Sequence, residues 1–329
     1  MIARCVRLEA NRYKLTVASS TLPEALCSIS HELHERSEAY CIRHHPHDAE
    51  VEFVIDIATL PTLLAAFEER LRTFTLEETS HEHTCCVVCP SFWVANIIRR
   101  ALWTSVPIIA CSSVLIHTNT SAFEGAMLAH RCGQLALQGT SDKTRGVVNV
   151  KHRDVLGKDI IFDDDLLRVA PLDREASLVQ LRKGQTFHAE LRFRRGRPLE
   201  HAKFHCVAAP SYYADVHLPR APSDAEMQTL TKNGFHCDAA FVCTRIDSRP
   251  ARAEVLKQII PHMHVTVGPR VKIGVESLGQ MPAVECVKAA TDSLLEQAAD
   301  VMHALTECER SAVGTADFCG TQHRKTPAC

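Results

Sequence analysis

Apolar and polar residues alternate at the start of the chain. Val6 and Leu8, and then Tyr13, Leu15 and Val17, fall on one face of two short extended segments. A period of two residues is typical of a half-buried strand, and the short separation of the segments predicts a hairpin. Residues 51–57 alternate in the same way and predict a further strand.

Two amphipathic helices accompany these strands. Thr21 and Glu24 form a capping box around Pro23, and Thr59 and Pro61 open the second helix. The two apolar stripes consist of Leu22, Ala25, Leu26, Ile29 and Leu33, and of Leu63, Leu64, Phe67, Leu71 and Phe74. Helices that cover one face of a small sheet leave their outer faces without a partner. We therefore expect this first module, residues 1–76, to pack against another element.

The pattern changes beyond a polar linker, which we place at residues 77–85. The next elements are predicted to be a strand at 86–88, a helix at 95–103, a strand at 108–117 and a helix at 123–131 that Gly133 stops. Short strands and dense charge then predict an inserted, mostly-β domain at residues 139–248. Pro282 starts a last helix with one apolar face, and residues 310–329 are predicted to be a disordered tail.

Composition narrows the class of function. The chain has 329 residues, of which 46% are hydrophobic, so it can bury a sizeable core. A formal net charge of −2 disfavours a protein that grips nucleic acid across a broad surface, and no helix-turn-helix or zinc-finger motif is recognisable. The 15 cysteines, without a secretory signal or a membrane-spanning apolar segment, predict reduced thiols and an intracellular protein of the nucleus or cytoplasm.

A cluster of histidines and cysteines is the best candidate for local chemistry. It contains His81, His83, Cys85, Cys86 and Cys89. Cys86 and Cys89 have the C-x-x-C spacing of paired zinc thiolates, but on a strand these two side chains would point to opposite faces. A zinc- or thiol-dependent protein that uses this cluster is therefore kept as the alternative function.

An acidic run, Asp163, Asp164 and Asp165, is a second and weaker candidate. Aspartates in a row can bind a metal, but no catalytic motif surrounds this run. We interpret it as a solvated turn. The sequence also lacks a Gly-rich phosphate-binding loop, so it predicts no cofactor.

Four blocks in order resemble the family of RNA polymerase alpha, archaeal D and the eukaryotic third-largest subunit. The first reads ANIIRRAL at residues 95–102 and continues as VPIIA at 106–110. The others are NTS at 119–121 with LAHRCGQLAL at 128–137, EHAKF at 200–204 with Val207 and Ala208, and VESLG at 275–279. The resemblance covers roughly residues 86–309. It implies a dimerisation domain at 86–138 and 249–309 around the inserted domain.

The first module resembles the partner subunit in that family, archaeal L or the eukaryotic eleventh subunit. The matching residues are 20–24 at the turn before the first helix, Tyr40, His45 and Pro46, and the alternating strand 53–57. The Gly and Asn of the family's turn are absent here. Fused pairs of these subunits resemble what large DNA viruses carry.

The two resemblances imply a fold and a function. The fold would be α+β, with two alpha-like dimerisation modules packed through helices. The function would be a non-catalytic assembly subunit of a multisubunit DNA-directed RNA polymerase, whose partners are the two largest subunits and small subunits. DNA and RNA would be contacted only through the complex, and no membrane partner is implied. Some members bind zinc or an iron–sulfur cluster in the inserted domain, but Cys206, Cys237 and Cys243 lack tight spacing, so neither is predicted.

Two sets of candidate site residues follow from the resemblance. Those expected to face a large subunit are Asn96, Arg99, Arg100, His130, Arg131, His201, Lys203 and Phe204. Those expected to pair the modules are Leu22, Leu26, Ile29, Leu33, Leu64, Phe67, Leu71, Glu276, Val287, Leu294, Val301 and Leu305. The alternatives are that Arg99 and Arg100 are solvated, that His130 is a packed histidine, and that residues 201–204 are an ordinary strand end.

Overall fold

The chain contains two compact units. The structure is a computed structural model that describes residues 2–7, 12–17, 21–33, 39–42, 51–56, 60–77, 82–246 and 251–318. One unit combines residues 1–73 with residues 292–329, and the other comprises residues 74–291. The described elements mix helices and strands, as the predicted α+β class requires.

The N-terminal part of the first unit is a four-stranded antiparallel sheet with two helices. Its elements are β1 (Ile2–Arg7), β2 (Arg12–Val17), α1 (Thr21–Leu33), β3 (Ala39–Ile42), β4 (Val51–Asp56) and α2 (Leu60–Arg72). The strand order is β1-β2-β4-β3, and β1 and β2 form the predicted hairpin. Leu26 and Ile29 of α1 and Leu63 and Phe67 of α2 are buried, so these members of the predicted apolar stripes are core residues. Phe74, also predicted for the second stripe, lies beyond the end of α2 and is half-buried.

The second unit contains most of the strands. Its elements before the last helix are β5 (Thr75–Glu77), β6 (Thr84–Cys89), α3 (Phe92–Thr104), β7 (Ile108–Asn119), α4 (Gly125–Gly133), β8 (Leu137–Gly139), β9 (Arg145–Lys151), β10 (Val155–Leu156), β11 (Ile161–Phe162), β12 (Leu167–Val169), β13 (Ser177–Val179), β14 (Thr186–Gly196), β15 (Ser211–His217), α5 (Asp224–Lys232), β16 (Phe235–Cys237), β17 (Val242–Arg245), α6 (Ala253–Ile259) and β18 (Thr266–Glu276). The predicted linker 77–85 is too long, because Glu77 ends β5 and Thr84 begins β6. Gly133 is the last residue of α4 rather than its stop.

Strand pairing does not follow the predicted limits of the inserted domain. A six-stranded sheet has the order β16-β17-β15-β18-β6-β5, so strands from residues 211–245 share a sheet with β6 and β18. A four-stranded sheet has the order β11-β9-β14-β7, so β7 pairs with a strand of the predicted insert. The boundaries 139 and 248 are therefore not the limits of separate sheets. Local composition does not reveal this, because pairing joins strands that are far apart in sequence.

Helix α3 forms as its apolar spacing predicts. Val94, Ile97, Ile98, Ala101 and Leu102 recur three and four residues apart, and all are buried. Their burial fixes which face of α3 points outward. The structure thereby places the polar residues of this helix on a defined, partly exposed side.

The last helix, α7 (Ala283–Phe318), is longer than predicted. Residues 311–318 are helical, so the predicted disordered tail is wrong for them; the small residues Ala312 and Ala316 suit a helix. Residues 319–329 lie outside the described part. Thr291 belongs to the second unit and Asp292 to the first. Within the described residues, α7 and the other helices are too short or too polar to cross a membrane.

Candidate subunit interface

Asn96 and Arg99 form a fixed pair on the outward side of α3. They lie one helical turn apart, where side chains on a helix meet. Nη2 of Arg99 donates a hydrogen bond to Oδ1 of Asn96 at 2.8 Å, and Nε lies 3.3 Å from the same oxygen. Within the described residues, Arg99 forms no ion pair with a carboxylate. The guanidinium is thus held in place, and its positive charge is available to a group of another molecule.

Aromatic rings surround this guanidinium. Cζ of Arg99 lies 5.8 Å from the ring centre of Trp103 and 5.7 Å from that of Tyr212, both within the range of cation–π contacts. Phe92 meets Tyr212 edge-on with ring centroids 6.0 Å apart. Phe92, Trp103 and Tyr212 are 50%, 41% and 40% exposed. We call these three rings and Arg99 the aromatic–arginine patch.

The three rings were not predicted from the sequence as part of an interface. Trp103 follows Arg99 by four residues, so helical spacing alone could have placed it beside the arginine. Tyr212 is different, because it reaches α3 only through the position of β15 in the six-stranded sheet. His205 packs edge-on against Trp103, and burial lowers the pKa of the His205 imidazole.

A second group of predicted residues meets where α4 approaches the 3-10 turn Ala202–Phe204. His130, His201 and Lys203 line a cavity of about 200 Å³ together with Gly133 and neighbouring residues of α4 and β7. The cavity unites two blocks that are some seventy residues apart in the sequence. Arg100 is half-buried on α3, where its carbonyl accepts a hydrogen bond from Thr104.

Two predicted interface residues, Phe204 and Arg131, contact other residues of the same chain. Phe204 is 0% exposed, so it cannot touch a partner, and its place in the interface is corrected to a core role. The apolar ring is buried against Gly196, where an added Cβ would lie 2.5 Å from it. Arg131 donates to the carbonyl of Leu178 at 2.9 Å and stacks on Phe123, so it ties α4 to β13.

The residues predicted to pair the modules are mostly buried. Buried members are Leu22, Leu26, Ile29, Leu64, Phe67, Leu71, Val287, Leu294, Val301 and Leu305. The side chain of Leu33 lies outside the described part of the chain. Glu276 is exposed at the end of β18, opposite Thr84 of β6, because alternate residues of a strand face opposite ways. Its role in pairing the modules therefore remains a prediction.

The cysteine cluster does not have the properties of a metal centre in the described residues. Burial raises the pKa of Cys85 to about 11 and that of Cys89 to about 12, which disfavours the thiolate that binds zinc. Nδ1 of His83 is buried and has no hydrogen-bond partner among the described residues. However, no three side chains of the described residues lie close enough together to hold a metal ion. His81 lies outside them.

The acidic run organises a loop. Both carboxylate oxygens of Asp164 accept from Oγ1 of Thr144, at 2.8 and 2.9 Å. Asp163 accepts from the backbone N–H of Arg145 at 2.8 Å. These bonds hold the acidic run in a turn between β11 and β12, as predicted from the sequence.

Comparison with known proteins points to one kind of relative. No family model matches the chain. The chain is 31% identical to "DNA-directed RNA polymerase subunit Rpo3" of Pyrobaculum islandicum over 139 residues, 36% of this chain and 53% of the relative. Proteins of the same name from Natronomonas pharaonis and Pyrococcus horikoshii are 26% and 24% identical, covering 66% and 68% of this chain and 90% and 93% of the relatives. The chain thus spans about half the length of the Pyrobaculum relatives and nearly all of the other two.

Proposed function

We propose that this chain is a non-catalytic assembly subunit of a multisubunit DNA-directed RNA polymerase. The observation that carries the proposal is the similarity to archaeal subunits named Rpo3, which extends over about two thirds of the chain in two of them. The proposed work of the chain is to bind the two large catalytic subunits and bring them together.

The aromatic–arginine patch is the proposed contact with one large subunit. Protein interfaces concentrate binding energy in Trp, Tyr and Arg residues near the centre of the contact. Here Asn96 and two rings hold the arginine in one geometry before any partner binds. Little side-chain entropy is then lost on binding. A planar guanidinium also suits bidentate contact with a carboxylate of the partner.

We further propose that the chain fuses a D-type subunit with an L-type module. Residues 1–73 and 292–329 belong to one compact unit, and Leu294, Val301 and Leu305 are buried within a single chain. The apolar face of α7 therefore has a source of cover in its own chain. A covalent link raises the effective concentration of the two halves to roughly millimolar for a short flexible connection. It also fixes their ratio at one to one.

Other partners follow from the same proposal. Small polymerase subunits would dock on the second unit, and DNA and RNA would be met only through the assembled enzyme. The formal net charge of −2 supports an indirect role, since direct grip on phosphates needs basic surface. The raised pKa values of Cys85 and Cys89 weigh against the alternative of a thiol- or zinc-dependent protein.

Co-expression tests the proposal. The tagged full chain is produced with the two largest polymerase subunits of the same genome, and the captured proteins are quantified. We expect both large subunits to be captured by the wild-type chain. Arg99→Ala should weaken capture about 30-fold or more, as for an interface hot spot. Arg99→Lys should weaken capture almost as much, because lysine keeps the charge but lacks the planar guanidinium.

A matched control is the exposed Arg182, which lies in the same unit outside the patch. Arg182→Ala removes an equal charge and should leave capture unchanged. Equal capture by wild type and Arg99→Ala would remove the patch from the interface. Failure of the wild-type chain to capture either subunit would refute the assembly function.

A further inference from the structure

The cavity beside α4 has a strongly asymmetric lining. Its walls come from Cys111–Val114, Ala129, His130, Gly133, Gln134, His201 and Lys203. None of these residues is a carboxylate, while one carries a fixed positive charge and two carry imidazoles. Its volume of about 200 Å³ is below the roughly 300–1,000 Å³ of small-molecule sites. The space therefore suits a single side chain rather than a nucleotide or cofactor.

Lys203 is positioned inside this cavity. Its stem packs on the α4 backbone, where Cδ would lie 3.8 Å from a Cβ built on Gly133. Its Nζ lies 5.4 Å from the ring centre of Phe204. Burial raises the pKa of Cys111 to about 11, and the ammonium of Lys203 acts against that rise, which indicates that the charge is near the thiol. Within the described residues, no carboxylate forms an ion pair with Lys203.

His201 adds a directed donor. Its Nδ1 accepts a hydrogen bond from the backbone N–H of Lys203 at 3.1 Å. When Nδ1 accepts, the neutral imidazole carries its proton on Nε2, so Nε2–H is a donor. Gln134, exposed at the end of α4, can supply an amide N–H. The cavity thus offers one cation and several donors, and none of its lining residues is a carboxylate.

From this arrangement we infer that the cavity formed by Lys203, His201 and His130 is a socket for one acidic side chain of a large polymerase subunit. The inference rests on the proposed function and names the chemistry of its contact. A carboxylate would accept from Nζ of Lys203 and from Nε2 of His201, which are charge-assisted hydrogen bonds. His130, His201 and Gln134 are exposed, so a partner surface is needed to exclude water from the pair.

Zero-length crosslinking tests the socket. A carbodiimide joins an amine to a carboxylate only where the two already touch, so we treat the complex of full chain and large subunits with it. We expect one dominant peptide in which Lys203 is coupled to an Asp or Glu of a large subunit. Lys203→Met keeps the apolar stem and removes the charge; it should abolish that peptide and weaken capture by roughly 30-fold.

Lys183 provides the matched control, because it is exposed in the same unit outside the cavity. Lys183→Met should leave both capture and the Lys203 crosslink intact. Lys203→Glu should also lose capture, and exchange of the crosslinked partner acid for lysine should restore it. Far-UV circular dichroism of each variant establishes that the fold is kept.

The outcomes separate the two claims. If the wild-type chain captures no large subunit, the proposed function fails and the socket fails with it. If wild type and Lys203→Met capture the subunits equally and Lys203 gives no crosslink, the socket alone is overturned. Inorganic phosphate is the competing occupant. Stoichiometric phosphate binding to the isolated chain that Lys203→Met abolishes would assign the cavity to a free anion and overturn the inference.

Discussion

Truncation of the apolar face of α7 should destabilise the first unit of the isolated chain. Leu294 and Leu305 are 0% and 1% exposed, and both belong to the residues of α7 that form this unit. Leu294→Ala and Leu305→Ala each remove buried carbon and leave a cavity. Asp300 is exposed on the same helix, so Asp300→Ala is the matched control.

The expected loss of unfolding free energy follows from the burial of the two leucines. A fully buried leucine contributes about 1.5–3 kcal/mol of transfer free energy, and the cavity raises the cost of Leu→Ala to about 2–5 kcal/mol. We expect about 3 kcal/mol for each leucine, since both are almost completely buried. With a urea dependence of about 2–3 kcal/mol per molar, this is a shift of roughly 1 M in the midpoint. Asp300→Ala should change the unfolding free energy by less than about 0.5 kcal/mol.

Urea titration with two probes measures the effect. The two tryptophans, Trp93 and Trp103, both lie in α3, so their fluorescence reports the second unit. Far-UV circular dichroism reports the helices of both units. The leucine variants should therefore shift the dichroism curve more than the fluorescence curve.

Protein concentration distinguishes burial within the chain from burial against a second copy. If α7 is covered by its own chain, the midpoint should be the same at about 1 and 50 µM, because only oligomers gain stability with concentration. A midpoint that rises with concentration would contradict cover in cis. A cost below about 1 kcal/mol for both leucines would show that the face is not a packed core.

Three further variants or reactions test particular contacts. Gly196→Ala places a Cβ 2.5–2.7 Å from ring carbons of Phe204 and should cost about 1–3 kcal/mol by urea titration, as overpacking does; a neutral result would mean that the ring moves freely. The hydrogen bond from Arg220 is the main cause that holds the pKa of Glu226 below its usual range. The stabilisation by the ionised Glu226 is therefore present above the pKa of about 4.3 that a glutamate has in the unfolded chain, and it is lost as the pH falls below that value. Glu226→Gln should flatten the loss of unfolding free energy between about pH 5 and 3. An unchanged slope would refute this contribution of Glu226. Burial raises the pKa of Cys89 to about 12, so iodoacetamide at about pH 8 should modify this thiol only after unfolding, and rapid labelling of the native chain, read by mass spectrometry, would contradict the burial.

Local elements were predictable because they depend on short spacing. The helix predicted at residues 95–103 is present as α3, although it begins three residues earlier, at Phe92, and ends at Thr104. The buried stripes of α1 and α2 followed in the same way. These features need no knowledge of which strands pair.

Features that depend on long-range pairing were not predictable. Tyr212 reaches Arg99 because β15 lies in the six-stranded sheet, and β7 pairs with β14 across the expected domain boundary. The HAKF block was recognisable, but only the close approach of Gly196 shows that Phe204 points inward. A motif identifies a segment, whereas the surrounding packing decides which side chains remain available to a partner.

The native mass of the assembled complex decides whether the chain is a fused assembly subunit. We predict that the full chain, co-expressed with the two largest polymerase subunits, forms a particle with one copy of each large subunit and one copy of this 36.5 kDa chain. No separate L-type subunit should be needed for that particle to form. A particle with two copies of the chain, one that requires an added L-type partner, or the absence of a stable particle would contradict a fused assembly subunit.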